Sequence, residues 1–169
     1  MHAASASVAC VNTFSRMLIV VTFLAAAAIA SAEPLRPGTP MPQLRLADQH
    51  DVEMAIGPDV RYVVFTRDMD AGNLVKEALA DDGGPLLETA HAVYISDISR
   101  MPGLVTKLFA LPAMRKRGYR ILLDRDGKAT ADVPSEEGKI TVLDVDGDVV
   151  ARIHFVSSAA AFRTLLVAK

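Results

Sequence analysis

Four polar residues with chemical potential, Arg67, Asp68, Asp70 and Asn73, lie within one short stretch at the start of a predicted helix. They follow an apolar, β-branched run, Arg61–Thr66, that is typical of a strand buried on both faces of a sheet. Acidic and amide side chains at a helix start accept hydrogen bonds from free N–H groups and meet the positive end of the helix dipole. The same groups can also bind a ligand: Arg67 can hold a carboxylate, and Asp68 can accept a hydrogen bond from an amine or amide.

The histidines and the Asp-rich turns carry weaker signals. His50, His91 and His154 form no His-x₃-His or His-Glu-x-x-His pair, so a zinc site would have to be assembled from separate elements. The runs Asp124–Gly127 and Asp144–Asp148 resemble fragments of calcium loops. Predicted strands flank both runs, however, and neither has a Glu at the twelfth position that an EF-hand loop requires. We therefore predict turns at both places and no metal site.

One basic cluster is present, formed by Arg115, Lys116 and Arg117 together with Arg120. At the end of a helix such charges complement the negative end of the dipole. The alternative is that the cluster docks an acidic partner, because the chain as a whole has a net charge of −2. This mild acidity gives no sign of a nucleic-acid partner, since phosphate binding requires a concentrated basic field.

Residues 1–32 are typical of a secretory signal peptide. A largely apolar run of 13 residues, Met17–Ile29, follows Arg16. This run is too short for a bilayer, which needs about 20 residues, and has the length of a signal-peptide core. Small residues at Ala30–Ala32 provide a cleavage site, so the processed chain is predicted to begin at Glu33. We expect that form to be periplasmic, with no membrane contact after the segment is removed.

The remaining chain is expected to form an extended lead-in with four prolines, residues 33–42, and a single domain, residues 43–169. The predicted strands are Gln43–Ala47, Val52–Ile56, Arg61–Thr66, Ala92–Ser96, Tyr119–Leu123, Ile140–Val145 and Asp148–Phe155. The first predicted helix is Asp70–Ala80, and the second is Leu86–Ala90, after a break at Gly83–Pro85. A third begins after Pro102, with Leu104, Leu108 and Leu111 at helical spacing, and ends or kinks at Pro112. The last predicted helix is capped by Ser157 or Ser158. Strands separated by helices imply a parallel core, and a late hairpin adds antiparallel strands at one side. The predicted class is α/β, a mixed sheet with helices on both faces and an N-terminal β-hairpin extension.

This order of elements, together with several short motifs, resembles the thioredoxin-like superfamily, especially its periplasmic thiol-reductant and peroxiredoxin-related branch. The opening, Pro37–Gln49, is similar to the G…P…F-x-L-x-D pattern of that branch. A later pattern of the same branch is P-V-L-x-D…V-P-T…F-L-I-D-x-D-G-x-I-V. It resembles three segments of this chain, Tyr119–Gly127, Asp132–Ser135 and Ile140–Val150. The resemblance covers residues 37–168 and implies the thioredoxin-like mixed sheet.

The resemblance also implies where a site would lie. In the family a V-P peptide bond is cis and faces the redox motif, so Val133 and Pro134, with Ser135 beside them, are expected to face the segment Arg67–Asn73. The family's Cys-x-x-Cys belongs in that segment, but no cysteine stands there, and the only cysteine of the chain, Cys10, lies in the predicted signal peptide. Thiol–disulfide exchange requires a thiolate. We therefore expect neither thiol–disulfide oxidoreductase nor peroxidatic activity.

Three functional hypotheses remain open. The first is an exported, redox-inactive protein that binds a peptide, a protein or a small ligand in the envelope, in a cleft between Arg67–Asn73 and Asp132–Ser135. The second is a non-redox enzyme that uses Asp68 or Asp70 as an acid–base group. The third is a metal-binding or regulatory module. No cofactor is expected, because no Gly-x-Gly-x-x-Gly follows a predicted strand.

Overall fold

A computed structural model of the chain describes residues 33–80 and 82–168, so the predicted signal peptide and its Cys10 lie outside the described residues. The strands are β1 (Arg45–Asp48), β2 (Glu53–Ala55), β3 (Tyr62–Thr66), β4 (Ala92–Asp97), β5 (Leu122–Asp124), β6 (Ile140–Asp146) and β7 (Val149–Val156). The helices are α1 (Met69–Ala78), α2 (Gly83–Thr89), α3 (Gly103–Val105), α4 (Leu111–Arg115) and α5 (Ala159–Val167), and a π-helical segment, Thr106–Ala110, joins α3 to α4. The continuous stretch from Gly103 to Arg115 is named the 103–115 helix below. None of these helices is long and apolar enough to cross a membrane.

The strands form one sheet in the order β2-β1-β5-β4-β3-β6-β7. Strands β3, β4 and β5 are parallel, whereas β1 pairs with β5 and β6 pairs with β3 in antiparallel fashion. The β1–β2 hairpin forms one edge and the β6–β7 hairpin the other. Parallel neighbours require crossover connections. Helices α1 and α2 supply the crossover from β3 to β4, and the 103–115 helix supplies the one from β4 to β5. The predicted mixed sheet with a parallel core is confirmed.

Different parts of the chain cover the two faces of the sheet. Successive residues of a strand point to opposite faces, and in β3 Tyr62 and Val64 belong to one buried cluster while Val63 and Phe65 belong to the other. The first cluster includes side chains of α1, α2, α5 and the 103–115 helix. The second cluster is completed by side chains of the lead-in and by Val133 from the loop after β5. That loop is therefore held in place by core packing.

The lead-in, residues 33–42, is attached to the edge strand β7. The N–H of Gly38 donates to the C=O of Val150 at 2.8 Å, and the N–H of Met41 donates to the C=O of Asp148 at 2.7 Å. Its four prolines prevent a helix and favour extended backbone. The segment consequently covers part of an edge whose backbone groups would otherwise be unpaired.

The 103–115 helix differs from the sequence-based expectation. Leu104, Leu108 and Leu111 have helical spacing, but only Leu111 is buried, whereas Leu104 and Leu108 expose 71% and 58% of their surfaces. The cause is the π-helical segment, in which the N–H of Leu111 donates to the C=O of Thr106, five residues earlier. Such a turn contains one extra residue and rotates the parts before and after it by about 100° relative to each other. Pro112 follows this turn, and the helix continues beyond it rather than ending.

Helix α2 begins earlier than the sequence predicts. The break expected at Gly83–Pro85 forms the first turn of the helix, which runs to Thr89. Proline is tolerated there, because the first N–H groups of a helix have no partner within it. A Cβ atom on Gly84 would lie 2.7 Å from the carbonyl oxygen of Gly118. Glycine therefore allows α2 to approach the segment that precedes β5.

Candidate functional site

Polar residues follow the three parallel strands at the edge where their carboxyl ends meet. Strand β3 ends at Thr66 and is followed by Arg67, β4 ends at Asp97, and β5 ends at Asp124. Helix α1 begins at the same edge, so the predicted site segment lies there as well. In α/β sheets the crevice outside the carboxyl ends of the strands is the usual place for a ligand.

Arg67 connects three parts of the chain. Its Nε donates to Oδ2 of Asp97 at 3.1 Å, its Nη2 donates to the C=O of Thr130 at 2.7 Å, and its Nη1 donates to Oγ of Ser135 at 3.1 Å. Its guanidinium carbon lies 5.0 Å from the ring centre of Phe65. The side chain of Arg67 is 18% exposed and that of Asp97 is 4% exposed, so the ion pair is largely shielded from water. The structure directs these donors to the protein itself rather than to a ligand carboxylate.

Asp68 caps α1 and also holds the turn before β6. Its Oδ1 accepts from the N–H of Ala71 at 2.8 Å, and its Oδ2 accepts from the N–H of Gly138 at 3.1 Å. Asp70 lies in the first turn of α1, is exposed, and places its charge at the favourable end of the helix dipole. For Asp68, helix capping is the role that the contacts demonstrate.

The loop between β5 and β6 brings the second predicted segment to the first. Val133 is buried in the core, and the C=O of Pro134 accepts from Oγ1 of Thr141 at 2.9 Å. Ser135 is exposed and receives the hydrogen bond from Arg67. The Arg67–Ser135 contact therefore joins the two segments directly.

Asp124 organises the predicted turn after β5. Its side chain is buried, with Oδ1 accepting from the N–H of Gly127 at 2.9 Å and Oδ2 accepting from the N–H and hydroxyl of Thr130 at 2.8 and 2.7 Å. Gly127 has a φ of 72°, and a Cβ atom there would lie 2.7 Å from Oγ of Ser99. Glycine is needed for both reasons. The carboxylate thus fixes the loop whose Thr130 carbonyl accepts from Arg67.

The histidines lie on separate elements. His50 is in the turn between β1 and β2, His91 directly precedes β4, and His154 is on β7. Among residues 33–80 and 82–168, no group of three or more His, Cys, Asp or Glu side chains is placed to hold a metal ion.

A groove of about 510 Å³ opens between the start of α1, the end of β4 and the 103–115 helix. Its apolar lining includes Met69, Met101, Val105 and Met114, and the predicted site residue Asn73 also lies in it. Methionine side chains are flexible and polarizable, so they adapt to irregular partners. Sequence reasoning missed this groove. The available signal was three methionines, one at the start of α1, one just before the 103–115 helix and one near the end of that helix, and these places meet only in the fold.

The rim of the groove has an excess of positive charge. Lys76, Arg100 and Arg117 line it and form no ion pair with any residue in the described ranges 33–80 and 82–168. Its two carboxylates belong to Asp68 and Asp97, which are engaged by the contacts given above. An acidic group on a ligand would therefore meet cations that no neighbouring carboxylate neutralises.

Two largely buried tyrosines also line the groove. The hydroxyl of Tyr94 lies 3.0 Å from Oγ1 of Thr66, and its ring centre lies 6.4 Å from that of Tyr119. Burial raises the pKa of Tyr94 to about 12, although hydrogen bonds with Thr66 and Ser96 act in the opposite direction. Burial also raises the pKa of Tyr119. The groove consequently presents neutral hydroxyl groups at physiological pH.

The predicted basic cluster is divided between two environments. Nε of Arg115 donates to the C=O of Gln49 at 2.7 Å, and Arg120 pairs with Asp48 at 3.4 Å. These contacts attach the β1–β2 hairpin to the end of the 103–115 helix and to the segment that follows it. Lys116, in contrast, is exposed and has no ion-pair partner in the part of the chain that the structure describes.

A second cavity, of about 480 Å³, lies beside the β1–β2 hairpin and α2. Its lining includes His50, Glu88 and Arg120, with the buried Asp48 among them. Burial alone would raise the pKa of Asp48, but the N–H groups of Val52 and His50 and the Arg120 guanidinium outweigh it and lower that pKa. The polar groups of this cavity mainly fix the hairpin.

Comparison with known structures identifies the fold. The chain is similar to peroxidoxin BcpB from Mycobacterium tuberculosis, with 17% identity, a TM-score of 0.51, and coverage of 78% of this chain and 96% of the other. It is similar to a putative protein disulfide isomerase from Bacteroides thetaiotaomicron, with 14% identity, a TM-score of 0.53, and coverage of 78% and 86%. It is also similar to a putative thiol:disulfide interchange protein DsbE from Chlorobium tepidum, with 12% identity, a TM-score of 0.50, and coverage of 78% of this chain and 96% of the other. No family model and no curated protein matches the chain. The protein has the thioredoxin-like fold, which confirms the resemblance found in the sequence.

Proposed function

We propose that this protein is an exported, redox-inactive thioredoxin-fold protein that binds a peptide, a protein or a small ligand in the 510 Å³ groove. One contrast carries the proposal. The polar groups of Arg67 and Asp68 at the start of α1 are engaged by the protein itself, whereas the apolar walls of the neighbouring groove are open and its rim cations lack ion pairs within residues 33–80 and 82–168.

The number and position of cysteines support redox inactivity. The chain has one cysteine, Cys10, and a redox cycle through an intramolecular disulfide requires two thiols. The segment Thr66–Asn73, where the family resemblance places Cys-x-x-Cys, contains none. Two of the similar structures are named as disulfide isomerase or interchange proteins. We infer that this chain retains their fold without that chemistry.

The groove indicates the character of the ligand. Its volume lies within the range of about 300–1,000 Å³ that is usual for ligand sites. Its methionine-rich lining suits an apolar group of variable shape. Lys76, Arg100 and Arg117 at the rim suit a carboxylate or another acidic group. An extended peptide segment with apolar and acidic residues has both features.

The acid–base alternative has less support. Both carboxylate oxygens of Asp68 accept backbone hydrogen bonds, and Asp70 is exposed outside the groove lining. A general base must reach the proton that it abstracts. The carboxylate of Asp68 is already engaged by backbone N–H groups, and that of Asp70 does not line the groove. No contact of the described residues favours the metal-binding or regulatory alternative.

Export is part of the proposal and has its own test. The signal-peptide pattern of residues 1–32 predicts cleavage after Ala32 and a periplasmic product. N-terminal sequencing of the protein from fractionated cells should return Glu33. A sequence beginning at Met1, or recovery with integral membrane proteins, would contradict export with cleavage.

Photo-crosslinking in cells tests the groove. A photoreactive residue at Met69, which is 72% exposed at the rim, should trap a defined partner, whereas one at Val167, which is 65% exposed on α5, should not. Capture at Met69 should be lost when Lys76→Glu and Arg100→Glu reverse the charge of the rim. A Lys139→Glu variant, changed at a cation outside the groove, should retain it.

Insulin reduction tests the redox part. Purified as the unprocessed chain, which retains Cys10, the protein should have no activity, and a Cys10→Ser variant should behave identically. Dithiol-dependent turnover would contradict redox inactivity. Equal capture at Met69 and Val167, or capture that survives reversal of the rim charge, would contradict the groove as the binding site.

A further inference from the structure

We propose that the outward face of the 103–115 helix docks on an anionic lipid membrane surface. This lipid-facing patch consists of Leu104, Lys107, Leu108 and Phe109, together with Lys116 just beyond the helix. None of these residues lines the 510 Å³ groove, so the proposal is independent of ligand binding there. It differs from the sequence-based expectation that the processed chain makes no membrane contact, which stays a prediction.

Three large apolar side chains of the patch are exposed together. Leu104 and Leu108 are mostly exposed, and Phe109 exposes 69% of its surface. Single exposed apolar residues are ordinary, whereas several together on one helix indicate an interaction surface. On the opposite side, Leu111 and Met114 pack on the core, so the helix presents the patch from a fixed position.

The segment that carries the patch has charges of a single sign. Residues 98–123 contain six Lys or Arg residues and no Asp or Glu, although the whole chain has a net charge of −2. Arg115 and Arg120 form ion pairs with the β1–β2 hairpin. Arg100, Lys107 and Lys116 form none with residues 33–80 or 82–168. Near an anionic leaflet, each such cation strengthens association by about fivefold.

Lipid suits this face better than a protein segment does. Leucine and phenylalanine flanked by lysines, on a helix with one sign of charge, is the pattern of helices that lie in the membrane interface. The π-helical segment creates the pattern, because a regular helix would have placed Leu104 and Leu108 on the same side as the buried Leu111. The apolar side chains therefore face outward for a structural reason, not through an excess of apolar residues.

A tryptophan reporter tests the proposal, because the chain contains no tryptophan. A Phe109→Trp variant places the fluorophore in the patch, and a Phe155→Trp variant on β7 is the control. With vesicles of equal parts phosphatidylglycerol and phosphatidylcholine, the emission of Phe109→Trp should shift to the blue and be quenched by brominated acyl chains. Vesicles of phosphatidylcholine alone should have no effect. All variants are purified as the processed chain, with the N-terminus at Glu33 checked by sequencing, so that the apolar run Met17–Ile29 does not contribute to vesicle binding.

Charge variants in the Phe109→Trp background test the electrostatic part. Combining Lys107→Gln with Lys116→Gln should weaken vesicle binding by about 25-fold. Combining Lys128→Gln with Lys139→Gln changes the net charge equally and should leave binding unchanged. Equal responses of the two tryptophan reporters, equal binding to neutral vesicles, or equal effects of the two charge pairs would overturn the proposal. Crosslinking of the patch to an envelope protein, without a response to vesicles, would overturn it in favour of a protein partner.

Discussion

At the junction of β3 and α1, Arg67 and Asp68 make five hydrogen bonds within the protein, to Asp97, Thr130, Ser135, Ala71 and Gly138. Across the groove, the 103–115 helix presents the opposite situation. Val105, Ala113 and Met114 line the groove from this helix, with Val105 41% exposed, and Arg117 just beyond the helix has no ion-pair partner among the described residues. One wall of the groove is polar and satisfied, and the other is apolar and open.

This difference shows that residue type alone does not identify a binding surface. Arg67 and Asp68 have the chemistry of ligand-binding residues, but neighbouring backbone and side-chain groups already use it. Leu104 and Leu108 have the periodicity of core residues, but a change of helical phase turns them to solvent. A surface is available for binding when its groups have no partner within reach, and that property belongs to the fold.

The largest effect is expected at the satisfied wall. Arg67→Ala should lower the free energy of unfolding by about 3–4 kcal/mol, because it leaves the buried Asp97 carboxylate without its cation and removes two further hydrogen bonds. Arg67→Lys should recover only part of this loss, since an ammonium group cannot reproduce the geometry of the guanidinium. Urea-induced unfolding provides the measurement.

Arg36→Ala is the control for that experiment. Arg36 pairs with Glu33 at 3.8 Å on the surface, and its loss should cost less than about 0.5 kcal/mol. If Arg67→Ala were equally mild but abolished crosslinking at Met69, Arg67 would be a ligand-binding residue and the contrast between the walls would fail.

A matched pair of leucines tests the helical phase. Leu111→Ala should lower the free energy of unfolding by about 2–3 kcal/mol, because it leaves a cavity in the core. Leu108→Ala should change it by less than about 0.5 kcal/mol, as expected for an exposed side chain. Similar losses for both variants, measured by denaturant unfolding, would mean that the two leucines share a buried face and that the π-helical segment is absent.

Helix capping predicts a smaller effect. Asp68→Ala should lower the free energy of unfolding by about 1–2 kcal/mol, since it removes the cap of α1 and the acceptor for the N–H of Gly138. Asp70→Ala should cost no more than about 0.5 kcal/mol, the effect of one charge at a helix end. Thermal unfolding distinguishes the two variants. Loss of partner capture in Asp68→Asn at unchanged stability would instead assign Asp68 to the ligand site.

The smallest effect concerns Tyr94, which lines the groove and contacts Thr66 at the end of β3. Burial raises its pKa to about 12 in the folded protein, so the unfolded chain, with a tyrosine pKa of about 10, releases the proton first. The contribution of Tyr94 to the free energy of unfolding is therefore fully present below pH 10 and is lost as the pH rises toward 12. Between pH 10 and 11 the wild type should lose about 1 kcal/mol more stability than Tyr94→Phe. Parallel pH profiles would mean that the hydroxyl is accessible to water.

Much of the fold could be predicted because its signals are local. The apolar run Arg61–Thr66 indicates a buried strand, and the Asp146-Gly147 turn indicates the β6–β7 hairpin, without knowledge of distant residues. Ser158, one of two predicted caps, does cap α5 by accepting from the N–H of Ala161. The extended lead-in follows in the same way from its prolines.

The sequence by itself therefore determined the order of elements, the parallel core and the absence of a Cys-x-x-Cys segment, because each depends on residue type and short-range spacing. Only the tertiary structure decided which charges are satisfied and which apolar groups are open. Arg67 meets Asp97 and Thr130 across 30 and 63 residues of chain, and the groove forms where α1, β4 and the 103–115 helix come together. Contacts of this kind depend on how elements far apart in the chain are placed in space, so local pattern cannot specify them.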